Sequence, residues 1–283
     1  MKLLLICTLT LISFCVILCG AKKGNTKKGS KSNRIIWGKE ANIEHYPYVV
    51  GLLAHNGNRV FCGGSIIAKS WVLTAAHCIA TVKRFKDKVE VTLLPEHIEG
   101  SIARGNATYI DGSRYDTCDH DIKEYVYHDD YVSPQGNDLD GNIGILHVEQ
   151  PFTCTHETVI KLNSKMDHGR GKFGVQPGWG QHKVSSDEYS RILRFFKVFV
   201  LPRKLCNIHF WLTNYNPEGK ICVASVLSRP CKGDSGFPLV VNISGKNLQI
   251  GEEYLYINLS KSTNFSCTCT VKLAGQKTLS VPG

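Results

Sequence analysis

The sequence lacks the patterns that would indicate membrane insertion, nucleotide binding or nucleic-acid binding. Beyond the N-terminus, no stretch approaches the twenty apolar residues that a membrane-spanning helix needs. There is no GxxxxGK(S/T) phosphate loop, no zinc-finger spacing and no basic run interleaved with aromatic residues. We therefore expect no membrane span, no metal, no cofactor and no nucleic-acid partner. Scattered histidines such as His45, His120 and His168 are expected at the surface rather than as metal ligands.

Helical periodicity is also weak, and short apolar stretches separated by Gly, Asn and Asp take its place. The 283 residues, 42% hydrophobic and 20% charged, suffice for one large all-β unit or two small domains. Regular short strands with turn signals favour a sandwich or a barrel. The predicted strands are 48–53, 60–67, 71–75, 88–94, 125–127, 143–148, 175–179, 193–201, 220–224, 238–241 and 248–257.

The N-terminus has the pattern of a signal peptide at 1–20, with a positive start, an apolar run and small residues at 19–21. The run is short for a membrane anchor, so secretion is the favoured interpretation. Residues 21–34 then form a basic leader with five lysines, one arginine and no acid. Such a segment is expected to be solvated, and its removal would lower the net charge of +10.

The cysteine count predicts an oxidising compartment. Cys7, Cys15 and Cys19 would leave with the signal peptide, and the nine that remain are Cys62, Cys78, Cys118, Cys154, Cys206, Cys222, Cys231, Cys267 and Cys269. An odd total leaves at least one thiol free or paired between molecules. Four Asn-x-Ser/Thr triplets in polar stretches are candidate N-glycosylation sites: Asn106, Asn242, Asn258 and Asn264.

The stretch with the clearest chemistry is 232–239, KGDSGFPL. A serine hydroxyl is a poor nucleophile until a base takes its proton, and its attack creates an oxyanion that needs nearby donors. Gly233 and Gly236 let the backbone turn sharply around Ser235 and bring main-chain N–H groups close to a substrate. Taken alone, the same letters also describe an ordinary surface turn.

A second motif decides between those interpretations. CGGSII at 62–67 and WVLTAAHC at 71–78 place His77 beside Cys78 after an apolar run. Together with the Arg34-Ile35 junction and KGDSGFPL, in this order, they resemble the trypsin/chymotrypsin family of serine peptidases. The resemblance covers about 34–251.

The resemblance implies a chymotrypsin-like all-β fold of two six-stranded antiparallel Greek-key barrels, about 35–148 and 149–283, with the active site in the cleft between them. His77 would be the base, Ser235 the nucleophile, and the Gly233 and Ser235 amides the oxyanion hole. Cleavage after Arg34 by a trypsin-like protease would free Ile35 to pair with Asp234. The alternative is that the leader is only a basic tail that binds acidic surfaces.

The resemblance also implies disulfides. Cys62 with Cys78 and Cys206 with Cys222 match family bridges, and Cys231 is expected to reach Cys267 or Cys269. Pairing of Cys118 with Cys154 is a guess.

Several residues depart from the family pattern. The triad aspartate is replaced by Asn142, unless a shifted loop brings Asp138 or Asp140 to His77. Arg229 stands where the family has the base of its specificity pocket. The pocket would therefore bind acidic substrate side chains, unless Arg229 folds back to fill the pocket or points to solvent. Phe237 replaces a glycine and would be strained if its φ were positive, whereas a β conformation would be tolerated. After residue 251 the tail shows no amphipathic helix.

Three hypotheses follow. The first is a secreted serine endopeptidase for protein or peptide substrates, attenuated by Asn142, with an activating protease and protease inhibitors as partners. The second is a non-catalytic homologue that binds a partner or acts as a decoy. A basic surface-binding module is the third and rests on charge alone.

Overall fold

The computed structural model describes residues 38–55, 60–85, 88–94, 100–113, 117–133, 140–163, 169–182, 188–207, 220–225, 233–258 and 266–272. Short 3-10 turns cover Ile43–His45, Ala76–Cys78 and Asp129–Val132, and one helical turn covers 203–207. The strands are β1 Lys39–Glu40, β2 Val49–Leu53, β3 Val60–Ala68, β4 Trp71–Thr74, β5 Ala80–Arg84, β6 Val89–Leu93, β7 Ile102–Gly105, β8 Cys118–Tyr127, β9 Gly144–Val148, β10 Lys161–Leu162, β11 Phe173–Gly178, β12 Arg194–Val200, β13 Lys220–Ser225, β14 Pro238–Ile243, β15 Lys246–Asn258 and β16 Ser266–Lys272.

The first half of the chain closes into a six-stranded antiparallel barrel in the order β2-β3-β4-β9-β8-β7. Alternate side chains fill its interior because successive residues of a strand point to opposite faces. Buried Val50, Leu52, Val72, Leu146 and Val148 belong to this interior. The hairpin of β5 and β6 leaves the barrel directly after Cys78 and forms a separate two-stranded sheet.

The second half forms another circuit of antiparallel strands, in the order β12-β11-β14-β15-β16-β13. Pairing of β12 with β13, at Phe199 with Ala224 and Val200 with Val223, closes this circuit. Strand β1 pairs with β12, and β10 adds to β15 in parallel. The two-barrel fold implied by the resemblance is thereby confirmed.

The expected strands are recovered, most of them with small differences at their ends, but β8 begins at Cys118, seven residues before the predicted 125–127. Strands β1, β5, β7, β10 and β16 were not foreseen. The tail is the main surprise, because β15 continues to residue 258 and β16 pairs with both β15 and β13. Strand β16 therefore lies between β13 and β15 and helps to close the second barrel, in the part of the tail that departs from the family pattern.

The two barrels share an apolar core. One cluster of buried residues takes Tyr48 and Val49 from the first half and Trp179, Leu193 and Phe237 from the second. These side chains are nearly inaccessible, and Trp179 has 0% of its surface exposed. Strands of both halves are thus packed against one shared interface.

Three disulfides lie among the described residues: Cys62–Cys78, Cys118–Cys154 and Cys206–Cys222. Cys231 lies outside the described residues, whereas Cys267 and Cys269 lie on β16. Within the described part of the chain, no helix is long and apolar enough to cross a membrane.

His120 corrects an expectation, because it is buried rather than at the surface. Its Nε2 lies 2.8 Å from Glu157 Oε1, and its Nδ1 lies 2.8 Å from the Gln150 carbonyl oxygen. A buried imidazole needs such partners, and they cannot be read from sequence spacing. His45 is exposed, and His168 lies outside the described residues.

Candidate active site

The Ser235 turn depends on its two glycines. Gly233 and Gly236 have φ of +88° and +84°, a region that side chains disfavour. A Cβ on Gly236 would lie 2.4 Å from the Gly63 carbonyl oxygen, and one on Gly233 would lie 2.3 Å from the Tyr189 ring. Both glycines are therefore required by conformation and by space, and they leave Ser235 half-buried at the apex.

The turn is fixed to the first barrel. The Gly63 N–H on β3 donates to the Ser235 carbonyl oxygen at 2.7 Å. The Thr74 hydroxyl on β4 in turn donates to the Gly63 carbonyl oxygen at 2.7 Å. Gly63 belongs to the CGGSII motif, so one role of this motif is to bind the Ser235 turn through a backbone hydrogen bond.

Phe237 does not have a positive φ, so the condition under which it would be strained is not met. The non-glycine residues with positive φ in the described chain are Asn106 and Ser244. Phe237 is 1% exposed, and its ring centroid lies 5.7 Å from that of Trp179. A Cβ on Gly63 would fall 2.3 Å from the Phe237 ring, so glycine on β3 makes room for phenylalanine on the turn.

His77 is held close to this turn by its neighbour's disulfide. It lies in the 3-10 turn after β4, and Cys78 is bonded to Cys62 on β3. The Cys78 Sγ is 4.0 Å from His77 Nε2 and 3.9 Å from the Ser235 carbonyl oxygen. The imidazole and the serine backbone therefore flank one sulfur atom.

Asn142 occupies the partner position of His77. It is fully buried, its Oδ1 accepts the His77 backbone N–H at 2.9 Å, and its Nδ2 lies 3.1 Å from His77 Nδ1. Oδ1 is farther from Nδ1, at 3.3 Å. Because an amide NH₂ only donates, the shorter of these two contacts favours Nδ1 as the acceptor and the ring proton on Nε2.

That tautomer opposes catalysis, since the nitrogen that should take the serine proton already carries one. Burial lowers the pKa of His77 to about 4, while the Asn142 side-chain amide, whose Oδ1 can accept from a protonated Nδ1, acts in the opposite direction. A carboxylate would stabilise the imidazolium, whereas a neutral amide supplies no charge to offset burial.

Asp140 does not replace Asn142 in the described structure. Asp140 Oδ1 accepts a hydrogen bond from the Lys220 ammonium group at 2.8 Å. The idea that a shifted loop brings Asp140 to His77 is therefore wrong for this arrangement, because the carboxylate is held by a cation of the other barrel. Asp138 lies outside the described residues.

The backbone N–H groups of Gly233 and Ser235 are the expected oxyanion donors. Within the described residues, no acceptor pairs with the backbone N–H of Gly233 or of Ser235. The neighbouring Asp234 is 5% exposed, and its Oδ1 accepts the Gly180 N–H at 3.0 Å. A Cβ on Gly180 would fall 2.3 Å from that carboxylate, so glycine is needed for the approach.

Other predicted residues fall in different surroundings. Arg34, Ile35, Arg229 and Asn264 lie outside the described residues. Asn106 is 7% exposed and its Oδ1 accepts the His156 N–H, which argues against a glycan there. Asn242 is exposed at the end of β14, and Asn258 ends β15.

Two buried charged groups near the site were missed. Lys220 is 4% exposed, and Glu252 on β15 is 0% exposed with both carboxylate oxygens unpaired in the described structure. Glu252 pairs in register with Pro238, three residues after Ser235, and burial raises its pKa well above the usual range. An isolated charged residue in a strand usually lies on the solvent-exposed face of the sheet. The sequence therefore contains no signal that either residue is buried.

Comparison with known proteins agrees with the two-barrel fold. The sequence model of the trypsin family matches residues 35–251. The chain is similar to trypsin from Sus scrofa, 27% identical over 74% of this chain and 80% of that protein. It is similar to hypodermin-A from Hypoderma lineatum, 27% identical over 85% of this chain and 87% of that protein. It is also similar to chymotrypsin from Phaedon cochleariae, 29% identical over 81% of this chain and 78% of that protein.

Proposed function

The chain belongs to the trypsin family of serine peptidases, and from this membership we propose that it is a secreted serine endopeptidase whose acyl transfer is attenuated by Asn142. The observation that carries the proposal is the meeting of His77, Asn142 and the Ser235 turn at the interface of the two barrels. Retention of nucleophile, base and oxyanion donors supports an enzyme, and the amide at 142 supports attenuation.

The mechanism assigns each group one task. Ser235 Oγ attacks the carbonyl carbon of the scissile bond, and the Gly233 and Ser235 amides stabilise the resulting oxyanion. His77 takes the hydroxyl proton and returns it to the leaving amine, and water then releases the acyl group. His77 must first present an unprotonated Nε2, which requires the minor tautomer as long as Asn142 Nδ2 donates to Nδ1.

The size of the attenuation follows from the chemistry of the triad. Exchange of the aspartate for asparagine in a Ser-His-Asp peptidase leaves the geometry intact but lowers turnover by roughly 10⁴, because the histidine takes the wrong tautomer. That factor corresponds to about 5 kcal/mol of transition-state stabilisation. Residual catalysis by the oxyanion donors and by binding remains above the uncatalysed rate.

Activation is proposed to follow removal of the signal peptide 1–20 and of the basic leader 21–34. Cleavage after Arg34 frees the Ile35 amino group for Asp234, which is buried beside the nucleophile. Mass spectrometry of secreted protein should find Ile35 as the first residue. A stable, active product that begins near residue 21 would contradict this route.

A second function is favoured by the same Asn142 contacts. If the Nε2–H tautomer is the only one populated, the cleft binds peptides or inhibitors without turnover, and the chain is a non-catalytic homologue or decoy. The carrying observation is the pair of Asn142 hydrogen bonds, to the His77 backbone and ring.

A fluorophosphonate label distinguishes the two functions because it reacts with an activated serine hydroxyl. We expect slow, time-dependent labelling of the mature protein at Ser235, and none in Ser235→Ala. Labelling that is absent in the wild type and also in Asn142→Asp would reject the enzyme and support the binding protein.

A further inference from the structure

An ion pair joins the second barrel to the loop that carries Asn142. Lys220 Nζ donates to Asp140 Oδ1 at 2.8 Å, and the lysine side chain is only 3% exposed. We propose that Lys220, acting through Asp140, is a positioning residue that holds Asn142 against His77. This inference rests on the proposed function, because it concerns the orientation of the proposed base.

The lysine end of the bridge is anchored. Lys220 begins β13, where its Cα pairs with that of Val271 on β16. Two residues later, Cys222 is bonded to Cys206. A buried ammonium group strongly favours a counter-ion, whereas exposed pairs contribute little. The second barrel therefore presents a fixed cation to the loop.

The aspartate end is connected to Asn142 through a single residue. Gly141 has φ of +58°, and a Cβ there would lie 2.6 Å from the Tyr131 backbone nitrogen. The Gly141 carbonyl oxygen accepts the Ile143 N–H at 2.7 Å. Gly141 therefore joins Asp140 and Asn142 in one tight turn, so the backbone positions of these two residues depend on each other.

A shift of Asn142 would change the orientation of the His77 imidazole. Asn142 holds both the backbone N–H and the ring nitrogen of His77, so its position sets the ring orientation and tautomer. Loss of the Lys220 cation removes one ion-pair partner of the Asp140 carboxylate, which is 26% exposed and can then turn towards water. Asn142 then follows and its hold on the ring weakens.

The test combines a ring spectrum with labelling. ¹⁵N-edited NMR reports the state of Nδ1 and Nε2 in His77, with His77→Gln used for assignment. We expect Lys220→Met to shift the His77 ring resonances. In the Asn142→Asp background, it should slow labelling of Ser235 by about tenfold, the scale of a small misplacement. Asp140→Asn should act in the same direction, and the double variant should lose no more than either single variant.

Arg104 provides the matched control. It forms a part-buried ion pair with Asp119, at 2.6 and 2.7 Å, and its remaining hydrogen bond goes to the Ile110 carbonyl oxygen. Arg104→Met should lower stability yet leave the His77 ring resonances and the labelling rate within about twofold of the reference.

Two outcomes overturn the proposal. The first is a folded Lys220→Met protein with an unchanged His77 spectrum. The second is an equal change in Lys220→Met and Arg104→Met, which indicates general loosening. If no variant is labelled, the proposed enzyme fails, and the ring spectra still decide whether the bridge positions His77.

Discussion

The Ser235 turn and the His77–Asn142 pair each contain one departure from the family pattern, and the two departures have opposite consequences. Phe237 is accommodated by packing, because Gly63 and Trp179 receive its ring and its backbone is unstrained. Asn142 fits the space and hydrogen-bonds well, but it reverses the direction of one bond to the imidazole. A change of volume can be absorbed by neighbours, whereas a change from acceptor to donor alters the chemistry.

Restoring the carboxylate should give the largest effect. Asn142→Asp is expected to raise acyl transfer by up to about 10⁴-fold, since an acceptor returns to His77 Nδ1 and a charge stabilises the imidazolium. The rate of fluorophosphonate labelling measures this change. Asn142→Asp combined with Ser235→Ala is the control and should remain unlabelled. Unchanged labelling in Asn142→Asp would show that position 142 does not limit the reaction.

Removing the Phe237 ring tests whether its packing stabilises the fold. Phe237→Ala should lower the free energy of unfolding by about 3–5 kcal/mol, as for other buried aromatic truncations. Phe173→Ala is the matched control, because Phe173 is 70% exposed, and it should cost less than about 0.5 kcal/mol. Urea unfolding measures both.

Gly63→Ala sharpens the same prediction. Its added Cβ meets the Phe237 ring, so the substitution should destabilise the wild type and be better tolerated in Phe237→Ala. Additive costs for the two substitutions would contradict the packing explanation.

The preference between acidic and basic substrate side chains is expected to change by less than the effect of Asn142→Asp, which is about 10⁴-fold. If Arg229 lines the pocket floor, its guanidinium pairs with a substrate carboxylate through charge-assisted bonds of roughly 1.5–3 kcal/mol. Peptides with Asp or Glu before the scissile bond should be cut or bound about ten- to a hundredfold better than Lys or Arg peptides. Arg229→Asp should reverse this order in a peptide library, and the exposed Arg203→Asp should leave it unchanged. A basic preference with Arg229 intact would remove Arg229 from the pocket.

The last effect is a pH dependence of stability. The folded-state pKa of His77 is lowered to about 4, below its unfolded value of about 6.5. Between these values the unfolded state binds more protons, so stability should fall as the pH drops from about 6.5 to about 4. Urea unfolding across this range should show a steeper loss in the wild type than in His77→Gln. Parallel curves would contradict the lowered pKa, and Glu252, which is present in both proteins, cancels from the comparison.

Much of this arrangement could be predicted because it follows from local patterns. Alternating apolar residues located most of the strands, and motif spacing placed Asn142 opposite His77. The Lys220–Asp140 bridge could not be predicted, because it joins residues 80 positions apart and a lysine at the start of a strand usually faces solvent. The buried pairing of His120 with Glu157 was missed for the same reason, since burial of a polar side chain depends on a distant partner. Strand β16 has the β-branched residues of a strand but was assigned to an atypical tail.

The apolar cluster shared by the barrels also determines how the protein unfolds. Tyr48 and Val49 from one half lie in the same buried cluster as Trp179 and Leu193 from the other, so neither half can open without exposing the core of its partner. Strand β1, from the start of the described chain, adds to the second barrel and increases this dependence. We therefore expect the two barrels to unfold together in one cooperative transition. The cleft between them is then lost at the same point as the barrels themselves.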